Sequence, residues 1–160
     1  MITCTFENSS KASLRHITVN AIIVKDNQIL FGKRDTFNGK PILESGKWGL
    51  IGGFFDRNEN LVQAVKREVL EESGWEINDL KLFRINDNPN RPKEDRQNVD
   101  IIFIANAVKQ TKTSDEEVSK LQWFDIDKPP AKDEIAFDHG DSVELYKKYF
   151  KENFPLPILG

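Results

Sequence analysis

Apolar positions along this chain change their period several times, and each change marks an element. Ile17–Val24 is a near-continuous apolar run, the pattern of a strand at the centre of a sheet. Asp26-Asn27 follows as a turn, and Gln28–Arg34 reads as the returning strand of a hairpin. Residues 35–47 hold Gly39, Pro41 and Gly46 and read as loop, after which Lys47–Gly53 is a short strand leading into a helix. There the period lengthens. At about 100° per residue Leu61, Val62, Val65 and Val69 share one arc of roughly 100°, a core-facing helical stripe. Asn58 is the expected N-cap and Gly74 the expected stop.

Beyond the helix, Lys81–Ile85 alternates like a short strand. Asn86–Asn98 contains two prolines and almost nothing apolar, and a loop this long in a small domain is usually functional or disordered. Val99–Val108 returns to strand, with Ile101 to Ile104 as a buried run. Thr111–Lys120 reads as charged loop and Leu121–Ile126 as a strand with Trp123 in the core or a pocket wall. Pro129-Pro130 breaks the chain. Val143, Tyr146, Tyr149 and Phe150 then repeat at helical spacing within Ser142–Asn153, a closing helix packed on the sheet. Residues 1–14 read as short and polar, and the PLPILG tail as loosely held. Strands on either side of a central helix, with a second helix at the end, predict an α/β fold: a mixed sheet between helices.

Composition narrows the field. A chain of 160 residues has room for one domain with a proper core. The 23 basic and 26 acidic residues leave a net charge of −3, which marks no nucleic-acid surface. Cys4 is the single cysteine, so no internal disulfide forms, as suits a reducing compartment. The first residues lack the apolar core of a signal peptide, and no run approaches membrane-spanning length. A soluble, cytoplasmic protein is expected, with no membrane partner. Cys4 and His16 are two metal-ligand types without partners, which is too few for a zinc site.

The chemistry concentrates in the helix. Glu68, Glu71 and Glu72 stand three and four residues apart, on one patch that overlaps the edge of the apolar stripe. Like charges so placed repel, and partial burial adds a desolvation cost. Arg67 offsets part of this but points partly away on the helical wheel. Hard oxygen ligands on a rigid element suit Mg²⁺ or Mn²⁺. A solvated, charge-laced helix face is the competing reading of three acids taken alone.

The full spacing decides between them. Gly53, five residues, Glu59, seven residues, then Arg67-Glu68-Val69, Glu71-Glu72 and Gly74-Trp75 form the pattern GX5EX7REUXEEXGU. At average residue frequencies it recurs by chance on the order of once in ten million chains. In this box the chain resembles the Nudix hydrolases, departing only at Trp75, where an aliphatic residue is more usual. Lys47 to Gly53 is similar to the family's W-x-L-P-G-G, with Ile51 in place of the proline. The resemblance covers about residues 17–150 and implies an α/β/α sandwich. It also implies hydrolysis of a nucleoside diphosphate linked to another group, giving a nucleoside monophosphate and the phosphorylated group.

Carried over residue by residue, the resemblance makes Glu68 and Glu72 the chief ligands of Mg²⁺, with Mn²⁺ a possible substitute. Glu71 becomes a further ligand or the residue that positions the water, the Gly53 carbonyl (or that of Gly52) an added oxygen, and Arg67 a catalytic partner. Glu59 and Gly74 are structural within the motif. The general base stays open among Glu68, Glu94, Glu116, Glu117 and His139. Lys33 and Arg34 at a strand end, and Arg91, Lys93 and Arg96 in the long loop, are candidates for substrate phosphate or ribose. Pro89 lies fifteen residues past Gly74, where the family's ADP-ribose pyrophosphatase group often carries a proline, and the resemblance thereby implies ADP-ribose or a nucleoside diphosphate sugar as substrate. A MutT-like nucleoside triphosphate pyrophosphohydrolase and a non-catalytic nucleotide sensor are the alternatives, and a homodimer is open.

Overall fold

The computed structural model describes residues 2–91 and 97–160. In chain order the elements are β1 (Ile2–Thr5), β2 (Lys11–Leu14), β3 (Ile17–Lys25), β4 (Gln28–Arg34), β5 (Thr36–Phe37) and β6 (Lys40–Pro41). Then come β7 (Trp48–Gly49), β8 (Ile51–Phe54), α1 (Leu61–Ser73), β9 (Trp75–Asn86), β10 (Val99–Gln110) and β11 (Val118–Asp125). A 3₁₀ turn (Lys132–Glu134), α2 (His139–Glu152) and β12 (Ile158–Leu159) complete the chain. The main sheet runs β11-β4-β3-β10-β9-β12, with β7 on β4 and β8 on β3. β3 pairs with β10 in parallel, and so does β12 with β9; the other pairs are antiparallel. The sheet is therefore mixed, as expected.

Period-two alternation sends the side chains of β3 to two different cores. Val19, Ala21 and Ile23 join Ile51, Phe103 and Ala105 beneath Ala64, Val65 and Val69 of α1. Ile22 goes the other way, to Phe31, Phe83, Ile102, and Val143 and Tyr146 of α2. A helix on each face makes an α/β/α sandwich. The β3–β4 turn is tight because Asp26 and Asn27 both take positive φ, 48° and 63°, the conformation of the two-residue hairpin loop.

Local chemistry sets the ends of α1. Its N-cap is Asn60, not Asn58, which instead holds a left-handed turn at φ 71°. Asn60 Oδ1 accepts from the Gln63 N–H while Gln63 Oε1 accepts from the Asn60 N–H, a reciprocal capping box. The spacing of Asn60 and Gln63 is the signal that locates the cap. At the other end Gly74 sits at φ 70°, and a Cβ there would come 1.8 Å from the Lys112 carbonyl oxygen, so only glycine fits. Val62 is 44 % exposed, and Ala64 takes its place in the core-facing stripe.

Several other elements differ from expectation. Residues 1–14 contain a β1–β2 hairpin. β9 starts directly after Gly74 rather than at Lys81, because its first residues pair with β10 along Trp75–Asn78. Val118 already pairs with Arg34, which shortens the charged loop. α2 begins at His139, and Phe150 is 54 % exposed, so the aromatic stripe is buried only along its Val143–Tyr146 edge. Trp123 packs edge-on against Trp75 beside the α1 core. The tail is anchored: Ile158 and Leu159 pair with Arg84 and Ile85, and Arg84 Nε donates to the Gly160 carbonyl at 2.7 Å. Among the described residues no helix is long and apolar enough to cross a membrane.

Asn60→Ala removes one arm of the capping box and should cost about 1 kcal/mol. For a domain of this size that lowers the melting temperature by about 2–4 °C, which calorimetry will register. Asn58→Gly keeps both the left-handed turn and the capping box and should leave the melting temperature nearly unchanged, so the two variants separate the assignments.

Candidate active site

The box residues gather where α1 meets β8. Arg67, the residue that seemed to point away, is the hub. Its Nε and NH2 groups donate to both Glu59 oxygens at 3.0 and 2.8 Å, and NH2 also donates to the Phe54 carbonyl at 3.1 Å. NH1 reaches Glu68 at 2.9 Å and Glu71 at 3.1 Å. The long stem lets the guanidinium fold back along the helix, which a helical wheel cannot show. So placed, Arg67 organises the acids rather than facing the cleft. Arg67 first of all, and then the Asp56 N–H, hold the Glu59 carboxyl below its ordinary range, a structural role for this acid.

Glu72 continues the buried stripe of Val65 and Val69. It is 8 % exposed, and its Oε2 accepts one hydrogen bond, from the Gly52 N–H at 3.1 Å. Among the described residues no salt bridge reaches it. Burial raises its pKa well above the usual carboxylate value, and Glu68 and Glu117 add to the effect. Glu68 presses on Gly53 so closely that a Cβ there would stand 2.6 Å from Glu68 Oε2. Burial lifts the Glu68 pKa to about 7, against the pull of Arg67. Glu71 differs: it lies about 60° round the helix from Glu68, away from Glu72, and its side chain is 47 % exposed on the solvent side of Arg67.

These acids form one end of a cleft of about 620 Å³ lined by Glu68, Glu72, Gly52, Gly53 and Glu117. Glu117 arrives from the loop before β11, and burial raises its pKa as well. The floor is Thr18, Asn20, Arg91 and Asn98; the walls include Arg34, Leu43, Phe37, Phe54 and Phe137. Arg34 donates from Nε to the Leu43 carbonyl at 2.8 Å and lies 5.1 Å over the Phe137 ring. Alternation along β4 turns Lys33 away from the cleft, with its ammonium 5.7 Å over the Trp48 ring. Arg91 does line the floor, but its charge serves buried acids: NH2 meets Asp138 Oδ1 at 2.6 Å and Asp100 Oδ2 at 3.7 Å. A guanidinium this deep needs a carboxylate beside it. Lys93, Glu94 and Arg96 fall outside the described residues.

The remaining base candidates separate on geometry. Glu116 Oε1 accepts from the Asn38 N–H at the tip of the β5–β6 hairpin and does not line the cleft. His139 lines it, but its Nδ1 accepts from the Leu50 N–H at 3.1 Å, and burial pulls its pKa down to about 3. Among the described residues that leaves Glu68 and Glu117 at the acid end.

Among the described residues no three carboxylates, histidines or cysteines converge closely enough to form a ready ion cage. The donor set nevertheless fits a hard cation. Two carboxylates are held out of water against a glycine pair, and among the described residues no salt bridge reaches Glu72, which Arg34 offsets only in part. A divalent ion keeping several of its own waters needs only one or two such oxygens.

The sequence reading missed Thr18, Asn20, Asp100, Asp138 and the three phenylalanines. For the first three a signal was present: each interrupts an apolar, fully buried strand with a polar side chain, which requires a partner or a purpose. The rings carry none, because an isolated phenylalanine in a loop looks like any other.

Comparison with known proteins agrees with this geometry. The model of the NUDIX domain family matches residues 14–146, and the chain belongs to that family. The ADP-ribose pyrophosphatase of Methanocaldococcus jannaschii is 29 % identical over 133 residues, spanning 83 % of this chain and 73 % of that protein. An oxidized purine nucleoside triphosphate hydrolase of Danio rerio is 31 % identical over 109 residues, 68 % of this chain and 65 % of its own length. Among solved structures, a NUDIX hydrolase from Nitrosomonas europaea superimposes with a TM-score of 0.79 at 24 % identity, over 95 % of this chain and 81 % of that one. Family and pyrophosphatase relatives together make this a Nudix pyrophosphohydrolase.

The raised carboxylate pKa values predict a pH dependence. Glu68, ordinarily near 4.5 and here about 7, binds its proton more tightly in the folded chain than in the unfolded one. Between those values the folded state carries more protons, so metal-free stability falls as pH rises from about 4.5 to 7; Glu72 acts in the same direction. Melting curves in chelator should therefore show a lower melting temperature at pH 8 than at pH 5.5. Added Mg²⁺ should restore more at pH 8. A metal-free protein that grows steadily more stable over this range would contradict the burial of these acids.

Proposed function

We propose that this chain catalyses Mg²⁺-dependent hydrolysis of the pyrophosphate bond in a nucleoside diphosphate linked to another group, with ADP-ribose or a nucleoside diphosphate sugar favoured. The observation that carries the reading is the pair of desolvated carboxylates, Glu68 and Glu72, against Gly52 and Gly53 at one end of a cleft whose walls also include Arg34 and the rings of Phe37, Phe54 and Phe137. A pyrophosphate resists attack because its charged oxygens repel a nucleophile. A bound divalent ion would neutralise that charge and acidify a water. Glu68 and Glu72 would hold it, with the Gly53 carbonyl as a further oxygen.

The remaining roles follow from placement. Arg67 keeps Glu68 aligned, so its contribution is to position a ligand. Glu71 supports that array from the solvent side. Glu117 reaches the acid end from a separate loop, clear of Arg67, and is the residue best placed to take the proton of the attacking water. Arg34, at the far wall, is the cation best placed for a substrate phosphate. The lone half-buried Cys4 agrees with a cytoplasmic setting.

Two facts bear on the substrate. The methanogen relative matches over most of both chains and is an ADP-ribose pyrophosphatase. The zebrafish relative is an oxidized purine nucleoside triphosphate hydrolase, which keeps triphosphate pyrophosphohydrolysis as the second reading.

A panel of ADP-ribose, nucleoside diphosphate sugars, NADH and deoxynucleoside triphosphates, incubated with Mg²⁺ and assayed for phosphate after phosphatase treatment, tests this. Turnover of ADP-ribose or a sugar nucleotide is expected, and a preference for triphosphates selects the second reading. Glu72→Gln should lower turnover by about a hundredfold or more, roughly 2.7 kcal/mol at the transition state. Glu117→Gln should reduce kcat by about a hundredfold with KM little changed. Near-normal kcat in Glu117→Gln would transfer the base role to Glu68 or Glu94.

A further inference from the structure

The floor of the cleft contains a polar device that the hydrolytic machinery does not use. Asn20 lies in the buried body of β3 and is only 6 % exposed, yet it lines the cleft. Its Nδ2 donates to Asp100 Oδ1 at 2.7 Å, and the Thr18 hydroxyl donates to the same oxygen at 3.2 Å. An oxygen that already accepts twice fixes the amide: nitrogen inward, carbonyl oxygen outward. That Oδ1 accepts nothing among the described residues. It lies against Gly52, where a Cβ would stand 2.9 Å away, and both residues line the cleft.

Keeping this arrangement is costly. Asp100 is fully buried, its Oδ2 makes no hydrogen bond among the described residues, and Arg91 stands 3.7 Å from it. A fold that needed only packing here would place an apolar side chain at position 20, since a half-satisfied polar cluster is worse than none. The outward acceptor also has an apolar neighbour. Thr18 pairs with Phe54 across β3 and β8, and Phe54, which is 42 % exposed and packs against the His16 ring, lines the cleft. An exposed ring beside an unpartnered, nine-tenths buried acceptor matches a planar heterocycle with a donor on its edge. A sugar hydroxyl fits less well. It both donates and accepts, whereas the amide nitrogen of Asn20 is already committed to Asp100.

We infer that Asn20 reads the nucleobase: its side-chain oxygen accepts a hydrogen bond from an exocyclic amine of a base lying against Phe54. The assignment rests on the hydrolase reading only for the presence of a nucleotide in the cleft. Asn20 is thus a specificity residue, held in register by Asp100 and Thr18.

Calorimetric binding of nucleoside monophosphates without metal tests the idea apart from catalysis. The probes are matched pairs differing by one amine: AMP and purine riboside monophosphate, GMP and IMP, CMP and its analogue lacking the 4-amino group. In the wild-type protein one pair should differ by about tenfold or more, because losing the amine leaves a buried acceptor unpaired. In Asn20→Ala the members of that pair should bind within twofold of each other. Asn20→Ser supplies the same comparison should the alanine variant fail to fold. A wild-type panel flat within twofold, or without measurable binding, overturns the proposal, and so does a pair difference that survives substitution. Amine discrimination in a protein that turns over no pyrophosphate would instead sink the hydrolase reading and leave this one standing.

Discussion

Everything at the catalytic end depends on two carboxylates kept from water by close backbone approach. Gly52 gives its N–H to Glu72, and Gly53 lets Glu68 lie where any side chain would collide. Neither contact survives a Cβ: at Gly52 one would also meet the Val19 carbonyl oxygen at 2.0 Å. The apolar stripe of α1 seats the helix on the sheet, and that same packing carries Glu72 below the surface at the end of the stripe. The packing force thereby creates an electrostatic cost that the protein alone does not offset. Under the proposed function, a bound divalent cation would offset it.

Arg67 limits the cost without removing it. One guanidinium ties Glu59, Glu68 and Glu71 into a fixed array and bonds the carbonyl of Phe54 on β8. Because Glu59 and Glu71 share this cation, Glu68 is only partly neutralised, and Glu72 is untouched by it. The arrangement grades the acids by depth: Glu71 solvated, Glu68 intermediate, Glu72 buried.

Legibility in the sequence followed the range of the interaction. The central strand, the helix and its glycine stop were visible because period and capping chemistry act over a few residues. Even there Asn58 drew the cap from Asn60, since both are asparagines just ahead of the apolar stripe; the Gln63 partner distinguishes them. The start of β9 at Trp75 was hidden because its alternation is weak and its pairing partner lies more than twenty residues downstream. Among site residues, the box announced Glu68 and Glu72 through spacing alone. Lys33 turned out to face away from the cleft, and Arg91 lines it while pairing with buried acids, because charge type says nothing about which face a strand presents or which acid lies behind a loop. The floor of Thr18, Asn20 and Asp100 comes together only when β3 and β10 pair in parallel, a contact spanning about eighty residues.

The central claim is that buried acids on α1 exist to hold a divalent cation. Titration of Mn²⁺ into the metal-free protein, followed by the loss of the free-ion paramagnetic resonance signal, tests it most directly. The account predicts binding by the wild-type chain that weakens by about tenfold or more in both Glu68→Gln and Glu72→Gln. The same titration of Glu71→Gln should lie much closer to wild type. Equal Mn²⁺ affinity in wild type and Glu72→Gln would contradict the account.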